Sequence, residues 1–488
     1  MKSSDTLVEE YPIDPNLEWP RGEKLFSQNM NALMEVLQAL IAEDLTSNVR
    51  ATRAPVELAQ DLELELSPHP QSFEEVLNHL KTIMRAAPLT TGQRFFNQLF
   101  GGRDPSGIMG EFFAAIGNHS LYTYKVAGPF VLIEDLLIQR LGNFAGFASS
   151  EKRCGGIFTP GGSLSNLAAM LCARDHCNPH WREKGAIQAK IYTSAEAHYS
   201  VRKGAGIIGV GRDQVVSVPC DSRGRMDPET LKTILYEDRQ RGELPMMVIA
   251  TAGTTVRGAF DSIDQLADLC EAENIWLHVD GAFGGAALLT ETLRDRMVGI
   301  ERAQSLTWDA HKVMGVPLTC SVLLTRDEHA CEHALSESAS YLFQADDAFL
   351  NPGTRSLQCG RRNDALKLWS AWRFHGDLGW ARRVERSRAL AVALADEIQQ
   401  RATLELCEEP PFLNVCFEVN EEMLGPIDHA ALCDRLQLEQ SALIGSADYK
   451  GRKVIRAAVI NPALVLKDLQ CLLDEVERLA PQCVLYAT

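Results

Sequence analysis

The spacing of apolar residues changes along the chain, from helical at the start to strand-like in the middle. Apolar side chains recur every three or four positions over Asn29–Leu45, Phe73–Met84 and Pro129–Leu141, which predicts a helix in each segment. From about residue 150, short apolar runs alternate with helical stretches. We interpret these runs as strands: Ala189–Tyr192, Val215–Val218, Met247–Ala250, Ile275–Val279 and Cys320–Leu324.

Helical spacing fills the gaps between those strands, over Ser163–Ala173, Pro228–Arg239 and Ile263–Glu273. Asp227 before Pro228 favours a helix start, because aspartate caps free N–H groups and proline suits the first helical turn. Strands as apolar as these, separated by helices, are typical of a mostly parallel sheet that is covered on both faces. The sequence therefore predicts an α/β fold for the middle of the chain.

The last part of the chain has a different order of elements, with long helices first and strands later. That order indicates a separate, small α+β domain. Residues 1–28 are polar and rich in turn-forming residues, and we interpret them as an extended arm. The predicted C-terminal elements are the helices Asp364–Phe374 and Leu378–Gln400, the strands Phe412–Glu418 and Val454–Ile460, and the helix Leu466–Leu479.

Composition limits the classes of protein and partner that need to be considered. The chain has 488 residues, 45% of them hydrophobic and 23% charged, as in ordinary globular proteins. Its formal charge of −17 argues against nucleic acid or an anionic membrane surface as a partner. No apolar run approaches the roughly 18 residues of a transmembrane helix, and no secretory signal is visible. Together with 13 cysteines and no CxxC pair, this predicts a soluble cytoplasmic protein.

Two other patterns in the sequence are weak. Gly204–Gly209 fits GxGxxG, but a helix-like stretch precedes it and a strand follows it, whereas a dinucleotide site needs the reverse order. Cys172, His176, Cys177 and His180 bunch at the end of one predicted helix. Four ligands so close together rarely surround a metal, so we interpret them as helix-end residues and predict no metal site.

Three segments of the predicted α/β region combine polar side chains with glycine turns or strand ends. Phe158–Asn166 (FTPGGSLSN) opens a helix, where glycines and free N–H groups favour a phosphate, although a plain turn with a serine cap fits equally well. Ala197–Ser200 (AHYS) holds a histidine that could lie over a flat aromatic ring or be an ordinary core residue. Ala250–Thr255 (ATAGTT) follows a buried strand and would otherwise be a simple loop.

Two further segments hold a carboxylate and a lysine. Trp276–Phe283 (WLHVDGAF) is an apolar strand that ends in Asp280, at the edge of the sheet where ligands bind; a helix cap or a core salt bridge is the alternative. A buried aspartate needs a cationic partner, such as a protonated pyridine nitrogen. Ser305–Lys312 (SLTWDAHK) ends in a lysine, whose amine would be a nucleophile in an apolar site and a solvated charge on a surface.

In this order, PGGSLSN, AHYS, TAGTT, HVDGAFGG and WDAHK strongly resemble the motifs of the pyridoxal-phosphate-dependent amino-acid decarboxylases of the glutamate, cysteine-sulfinate and aromatic type. The resemblance runs from about residue 90 to the end, and QRFFNQL, YLFQ, QCGRR and PFLNVCF look closest to the cysteine-sulfinate and glutamate branch. It implies fold type I, the aspartate-aminotransferase-like α/β fold, and a homodimer with active sites at the subunit interface. The expected division is a helical arm that contributes to the dimer (1–120), a large cofactor-binding α/β domain (121–365) and a small α+β domain (366–488).

The resemblance also implies roles for individual residues. Lys312 would form the Schiff base with the aldehyde of pyridoxal 5'-phosphate, Asp280 would pair with the pyridine nitrogen, and His198 would stack on the ring. These three residues are the expected catalytic groups. The expected cofactor-binding residues are Gly162, Ser163, His198, Thr251, Asp280, Ala282, Asp309, His311 and Lys312.

Three residues are expected to contact the substrate. By resemblance to the glutamate branch, Gln98 and Arg456 would bind a substrate carboxylate. Arg456 lies in an apolar strand and needs an anionic partner, which is either a bidentate carboxylate or an internal salt bridge. Phe100 stands where the cysteine-sulfinate type has phenylalanine and glutamate decarboxylases have serine. A bulky ring would shorten the pocket and favour aspartate, cysteine sulfinate or cysteate over glutamate.

The sequence departs from the family at three places. Asp309 stands where many relatives have asparagine beside the phosphate, which it would repel unless it points away. Gly281 replaces an alanine. The span Ala345–Leu357 contains Phe349 and no tyrosine, whereas relatives carry there a loop tyrosine thought to protonate Cα. We therefore predict α-decarboxylation of a short acidic amino acid, with oxidative deamination to an aldehyde, or decarboxylation of a basic or aromatic amino acid, as alternatives.

Overall fold

The computed structural model describes residues 23–46, 49, 53–185, 188–337 and 350–485. The arm proposed for residues 1–28 lies almost entirely outside them, as do Tyr341–Gln344 and Phe349. Among the described residues, no helix combines the length and the apolar run that crossing a bilayer requires.

Helices occupy the described chain before the first strand, and local sequence explains their starts. Helix α3 begins with a capping box, in which the Ser72 hydroxyl accepts the Glu75 N–H (3.2 Å) and the Glu75 carboxylate accepts the Ser72 N–H (2.7 Å). Asp104 caps the following helix in the same way, by accepting the N–H groups of Ser106 and Gly107. The helices are α1 (Glu23–Thr46), α2 (Pro55–Asp61), α3 (Phe73–Ala86), α4 (Pro105–Gly117), α5 (Tyr124–Ala127) and α6 (Pro129–Ala145).

A seven-stranded sheet forms the centre of the chain, in the order β1-β7-β6-β5-β4-β2-β3. The pairs from β3 through β2, β4 and β5 to β6 are parallel, whereas β7 runs antiparallel to both β6 and β1. The predicted mostly parallel α/β sheet is confirmed. Its strands are β1 (Gly155–Thr159), β2 (Lys190–Ser194), β3 (Val215–Val218), β4 (Pro245–Thr251), β5 (Trp276–Asp280), β6 (Ser305–Asp309) and β7 (Ser321–Thr325).

Helices connect these strands, and the most buried of them is α7. Its residues Ser165–Ala173 are all buried against the sheet. Gly204 and Gly206 lie inside α9, so their GxGxxG pattern is part of a helix and not a strand-to-helix turn. The connecting helices are α7 (Gly162–Cys177), α8 (His180–Lys184), α9 (Ser200–Ile207), α10 (Pro228–Gln240), α11 (Ile263–Glu273), α12 (Glu291–Arg294) and α13 (Ala330–Leu335).

The C-terminal part forms a second sheet with its own apolar core. Helix α14 (Ala365–Gln399) is interrupted at Gly376, whose φ of 61° agrees with the two helices predicted there. The antiparallel sheet has the order β10-β11-β9-β8, and Phe96 from the N-terminal part joins its core. The elements are β8 (Leu404–Leu406), β9 (Asn414–Val419), α15 (Glu421–Leu424), α16 (His429–Leu438), β10 (Gly445–Tyr449), β11 (Arg452–Ala458) and α17 (Leu466–Leu479).

Candidate active site

A cavity of about 320 Å³ lies at the carboxyl ends of the parallel strands of the large sheet. The five motifs converge here because each one follows or ends a strand: β1, β2, β4, β5 and β6. The lining includes all of the predicted cofactor-binding residues: Gly162, Ser163, His198, Thr251, Asp280, Ala282, Asp309, His311 and Lys312.

Asp280 supplies a buried negative charge to this cavity. It ends β5 and is only 6% exposed. Its two carboxylate oxygens accept hydrogen bonds from the Asn166 side-chain amide (2.7 Å) and the Ala282 N–H (3.2 Å). No cationic side chain in the described part of the chain pairs with it. A buried carboxylate with only neutral donors suits a ligand that brings a positive charge.

Lys312 brings its amine to the same cavity from just beyond β6. The Nζ atom lies 3.4 Å from Asp309 Oδ2, and about a quarter of the side chain is exposed (24%). The Lys312 N–H donates to the Asp309 carbonyl (3.1 Å), so a tight turn fixes the position of the lysine. The turn therefore fixes the backbone of Lys312, and its amine is accessible from the cavity.

His198 and Tyr199 lie on another side of the cavity. The imidazole Nδ1 of His198 is 2.8 Å from the Ser200 hydroxyl, and its ring centroid is 4.2 Å from that of Tyr199. Burial lowers the pKa of His198 below its usual range, with Lys312 adding to the effect and Asp280 opposing it. The histidine is consequently a neutral ring at physiological pH.

The start of α7 forms the end of the cavity that suits an anion. Gly161 has a φ of 125°, which favours glycine at the turn. A Cβ on Gly162 would come within 2.7 Å of Asp309 Oδ2, so a larger residue would fill this space. Free N–H groups at the first turn of a 16-residue helix favour a phosphate.

Asp309 borders the space at Gly162, and its two oxygens have different partners. One oxygen accepts the Ser321 hydroxyl on the sheet side. The other lies 3.4 Å from Lys312 Nζ and 3.6 Å from His311 Nε2. Burial lowers the pKa of His311. The same Oδ2 atom lies 2.7 Å from the Cβ position of Gly162, so the Asp309 charge faces the lysine and also the end of the cavity that suits an anion.

The structure also explains Gly281. An alanine Cβ at this position would lie 2.8 Å from Leu306 Cδ1 and 3.0 Å from the Thr307 carbonyl oxygen. Both neighbours belong to the buried strand β6, so the departure from alanine fits the packing of this chain.

None of the three predicted substrate residues, Gln98, Phe100 and Arg456, lines this cavity. Gln98 is exposed, and Phe100 packs on Phe95 (5.8 Å between ring centroids) in a neighbouring cavity of about 230 Å³. That second cavity shares His311 with the first. Leu99, between the two predicted residues, is the one that lines the main cavity.

Arg456 is buried on β11, with 8% of the residue exposed. Its guanidinium donates to two backbone carbonyls, those of Thr255 (2.9 Å) and Asn97. Thr255 itself lines the cavity. Burial lowers the pKa of Arg456, and no carboxylate of the described residues pairs with it. The internal salt bridge considered from the sequence is thus absent from this part of the chain.

Sequence reasoning missed several polar residues behind the cavity wall. Asn166, Ser200, His278 and Thr307 are almost fully buried and hydrogen-bonded to one another or to Asp280. All four stand inside quoted motifs, where they were given no role. The signal available in the sequence was a polar side chain inside an otherwise apolar segment, because a polar group that is buried needs a hydrogen-bond partner.

A larger cavity, about 580 Å³, lies elsewhere, near the start of α11 and the segment before β9. It contains arginines and carboxylates together but none of the lysine, histidine or glycine-turn residues described above. The chemistry of the side chains, and not the volume, identifies the 320 Å³ cavity as the candidate active site.

The fold and the site together define the class of cofactor-dependent enzymes in which a lysine follows a strand of a mostly parallel sheet. The Pyridoxal-dependent decarboxylase conserved domain matches residues 55–420. Human acidic amino acid decarboxylase GADL1 is 36% identical over 499 positions, covering 98% of this chain and 95% of that protein. Human cysteine sulfinic acid decarboxylase is 39% identical over 447 positions, covering 88% and 90%. The crystal structure of mouse CSAD has a TM-score of 0.87 at 36% identity and covers 93% of this chain and 99% of that one.

The chain belongs to the pyridoxal-dependent decarboxylase family, and the predicted family, fold type and cofactor, pyridoxal 5'-phosphate, are confirmed. The residues present fit this cofactor. Asp280 lacks a cation, and the Thr251 hydroxyl is buried without a hydrogen-bond partner. The turn at Gly162 leaves space at the start of a helix.

Proposed function

We propose that this enzyme removes the α-carboxylate of a short acidic amino acid, namely aspartate, cysteine sulfinate or cysteate, with glutamate as a poorer substrate. The main observation in favour of an acidic substrate is Arg456. Its buried guanidinium donates to two backbone carbonyls and pairs with no carboxylate among the residues that the structure describes. A substrate carboxylate would supply the missing anion. The named relatives that act on acidic amino acids support the same choice.

The catalytic roles that we propose are confined to three side chains. Lys312 would hold the cofactor covalently and give it up when a substrate amine takes its place. Asp280 would favour a protonated pyridine nitrogen, and His198 would pack against the cofactor ring. When bound, the cofactor ring withdraws electrons from the bond that is broken at Cα. The protein's contribution would be to orient the bound substrate so that the bond to its α-carboxylate is the one that breaks, which would select decarboxylation over other reactions.

The remaining residues of the cavity position the two ligands. We assign the phosphate to Gly162, Ser163 and His311, with Asp309 oriented toward Lys312. Thr251 and Ala282 line the ring, and the Thr251 hydroxyl, which has no partner, is available to a polar ring substituent.

Substrate contacts are proposed for Arg456, Gln98 and Phe100. Arg456 would bind a carboxylate through its fork-shaped guanidinium. Gln98 is exposed and Phe100 faces a neighbouring cavity, so both would reach the substrate from a wall that the cofactor residues do not form.

We propose that the enzyme is a homodimer with active sites at the interface. Helix α4 exposes Met109, Phe113 and Ile116, and α6 exposes Leu132 and Leu136, with exposed fractions between 48% and 68%. Their spacing places them on one face of each helix, and both helices pack against α14. Exposed apolar surface of this kind marks a protein interface. The same proposal includes the arm, large-domain and small-domain boundaries expected from the sequence.

A cytoplasmic location is also proposed. All 13 cysteines are free thiols, which fits a reducing compartment.

The experiment that tests the function is a panel of amino acids assayed by product mass spectrometry, with and without catalase. We expect amines from aspartate, cysteine sulfinate or cysteate, unchanged by catalase. Aldehyde with peroxide would replace this proposal by oxidative deamination. Turnover confined to basic or aromatic amino acids would overturn the assignment of Arg456.

A further inference from the structure

A continuous set of hydrogen bonds runs from the cavity lining into the sheet interior, centred on the side-chain amide of Asn166. This residue is 1% exposed. Its Nδ2 donates to Asp280 Oδ2 (2.7 Å) and to the Ser200 hydroxyl (3.2 Å). Its Oδ1 lies 2.7 Å from the Thr307 hydroxyl and 3.1 Å from His278 Nε2. All four hydrogen-bonding positions of the amide are therefore used.

Asp280 determines which way this amide points. A carboxylate only accepts hydrogen bonds, so the NH2 group of Asn166 must face it. The amide oxygen then faces His278, whose Nε2 must carry the hydrogen. The other ring nitrogen, Nδ1, accepts from the Ser305 hydroxyl (2.8 Å), which in turn accepts the indole N–H of Trp276 (2.8 Å). With these directions, every donor on this side of the network has an acceptor.

The same logic extends to the cavity through Ser200. Its oxygen accepts one hydrogen from Asn166; because the Ser200 backbone N–H makes His198 Nδ1 an acceptor, the Ser200 hydroxyl, 2.8 Å away, donates its own hydrogen to the same nitrogen. The Ser200 N–H points at the same nitrogen from 3.3 Å. His198 Nδ1 is thus an acceptor, and the single proton of the neutral ring sits on Nε2.

Burial keeps both imidazoles neutral, which is required for these directions to hold. It lowers the pKa of His278 to about 4 and lowers the pKa of His198. Asp280 opposes the shift in both rings but does not reverse it. Asp280 is therefore the single formal charge among the members of this network.

We infer that Asn166 is the positioning residue that orients the Asp280 carboxylate and, through the Ser200 hydroxyl, reinforces the His198 tautomer that the Ser200 backbone N–H favours. The cationic pyridine nitrogen of the cofactor would then face the Asp280 carboxylate, which no cationic side chain of the described residues neutralises. The ring face would meet a neutral imidazole, since an imidazolium there would repel a cationic ring. This inference rests on the proposed function, because the orientation of Asp280 and the tautomer of His198 matter for catalysis only if the cavity binds the cofactor.

The tautomers can be measured without cofactor or turnover. We would label the 12 histidines with ¹⁵N, record the apoprotein by NMR, and assign His198 and His278 with His198→Gln and His278→Gln. Both rings are expected to be neutral with hydrogen on Nε2. A wild-type spectrum with the His198 hydrogen on Nδ1 would overturn the inference.

Two variants test whether Asn166 sets the His198 tautomer. Asn166→Asp keeps the size but replaces the NH2 group by a second carboxylate oxygen beside Asp280, which also draws the Ser200 hydrogen away from His198. Ser200→Ala removes the hydroxyl link to His198, keeps the backbone N–H that donates to Nδ1, and leaves Asn166 and Asp280 in contact. We expect a mixture of His198 tautomers in both variants, and a disturbed His278 signal in Asn166→Asp alone. Ser200→Ala keeps the test valid if Asn166→Asp does not fold.

Asn461→Asp is the matched control, because it makes the same chemical change at a buried asparagine (1% exposed) that donates only to the carbonyls of Thr91 and Gly92. It is expected to lower the melting temperature without moving either histidine signal. In the reconstituted protein, cofactor affinity should fall about ten- to hundredfold in Asn166→Asp, because a charge-assisted hydrogen bond is lost, and little in Ser200→Ala.

An unchanged His198 tautomer in both variants would refute the role of Asn166. Because these signals come from the apoprotein, that result would leave the proposed decarboxylation intact. A negative amino-acid panel would likewise leave the tautomer measurement standing.

Discussion

The two walls that we propose for the active site, one for the cofactor and one for the substrate, are built in different ways. The cofactor wall comes from the carboxyl edge of one sheet, and Asp280, His198 and Lys312 already face a common cavity. The substrate wall comes from the second sheet and from the segment before α4. There, Arg456 is held by backbone carbonyls, whereas Gln98 is exposed.

The difference follows from how each wall is held together. Parallel strands fix their ends relative to one another through ladder hydrogen bonds, so the cofactor residues are positioned by the sheet itself. Arg456 and Gln98 are positioned only by how the second sheet and an irregular segment pack against the first. Changes to the cofactor wall should therefore abolish binding or chemistry, whereas changes to the substrate wall should alter selectivity.

The largest effect is expected for Lys312→Ala. Without the amine the protein cannot hold the cofactor covalently, so we expect it to lose the yellow absorbance of the lysine-bound cofactor, and turnover to fall by several orders of magnitude. Absorption spectroscopy and peptide mapping after borohydride reduction measure this directly. Lys203→Ala, at an exposed lysine, is the control. A borohydride label on a peptide without Lys312 would refute the assignment.

Asp280→Ala should keep some cofactor and lose at least about a hundredfold in kcat, a size typical of removing one electrostatic partner from a buried site. The reason is electronic, because the pyridine nitrogen loses its proton when the carboxylate is absent. Cofactor content and kcat measured on the same sample separate binding from chemistry. Near-normal turnover of the loaded variant would contradict the proposed role.

Substitutions of Arg456 test the proposed substrate wall. Arg456→Ala removes a charge-assisted pair worth about 1.5–3 kcal/mol, so kcat/KM should fall roughly ten- to hundredfold while cofactor content stays constant. Arg456→Lys should already be damaging, since a point charge cannot replace the fork. Arg452→Ala, on the same strand but 64% exposed in its side chain, is the control.

Comparing acidic substrates with neutral analogues shows which carboxylate Arg456 binds. A loss confined to acidic substrates indicates the side-chain carboxylate, and an equal loss on both indicates the α-carboxylate. If Arg456→Ala instead lowers the melting temperature, releases cofactor and leaves selectivity unchanged, the arginine is structural.

The residues that we predicted from the sequence to bind the cofactor lie in short motifs at the ends of apolar strands, and the structure brings them to one cavity; their roles stay predictions. Strand β6 was not predicted, since Ser305 and Thr307 look polar although both are fully buried and hydrogen-bonded. The role of Asn166 was also beyond the sequence. Its partners Asp280, His278 and Thr307 lie 114, 112 and 141 residues away, and only the fold brings them together.

The substrate wall shows a second limit of prediction from sequence, which concerns the direction in which each side chain points. Gln98, Leu99 and Phe100 are consecutive, yet one is exposed, one lines the main cavity and one faces the neighbouring cavity. Such a segment has no helical or strand period from which side-chain directions could be derived. Resemblance could propose Gln98 and Phe100 as substrate contacts, but it could not place them, and it gave Leu99 no role.

The smallest effect is expected at Phe100. Phe100→Ser should widen the pocket and improve glutamate relative to aspartate and cysteine sulfinate, because one or two methylenes are worth about 1–3 kcal/mol. The ring packs on Phe95 beside a cavity that only borders the main one, so we expect about a tenfold change in the ratio of kcat/KM values, the lower end of that range. Phe100→Leu keeps most of the bulk and should leave the ratio nearly unchanged, which separates pocket length from lost aromatic packing. If the serine variant loses activity on all three substrates equally, Phe100 supports the wall without contacting the substrate, and the preference for short acids must come from other residues.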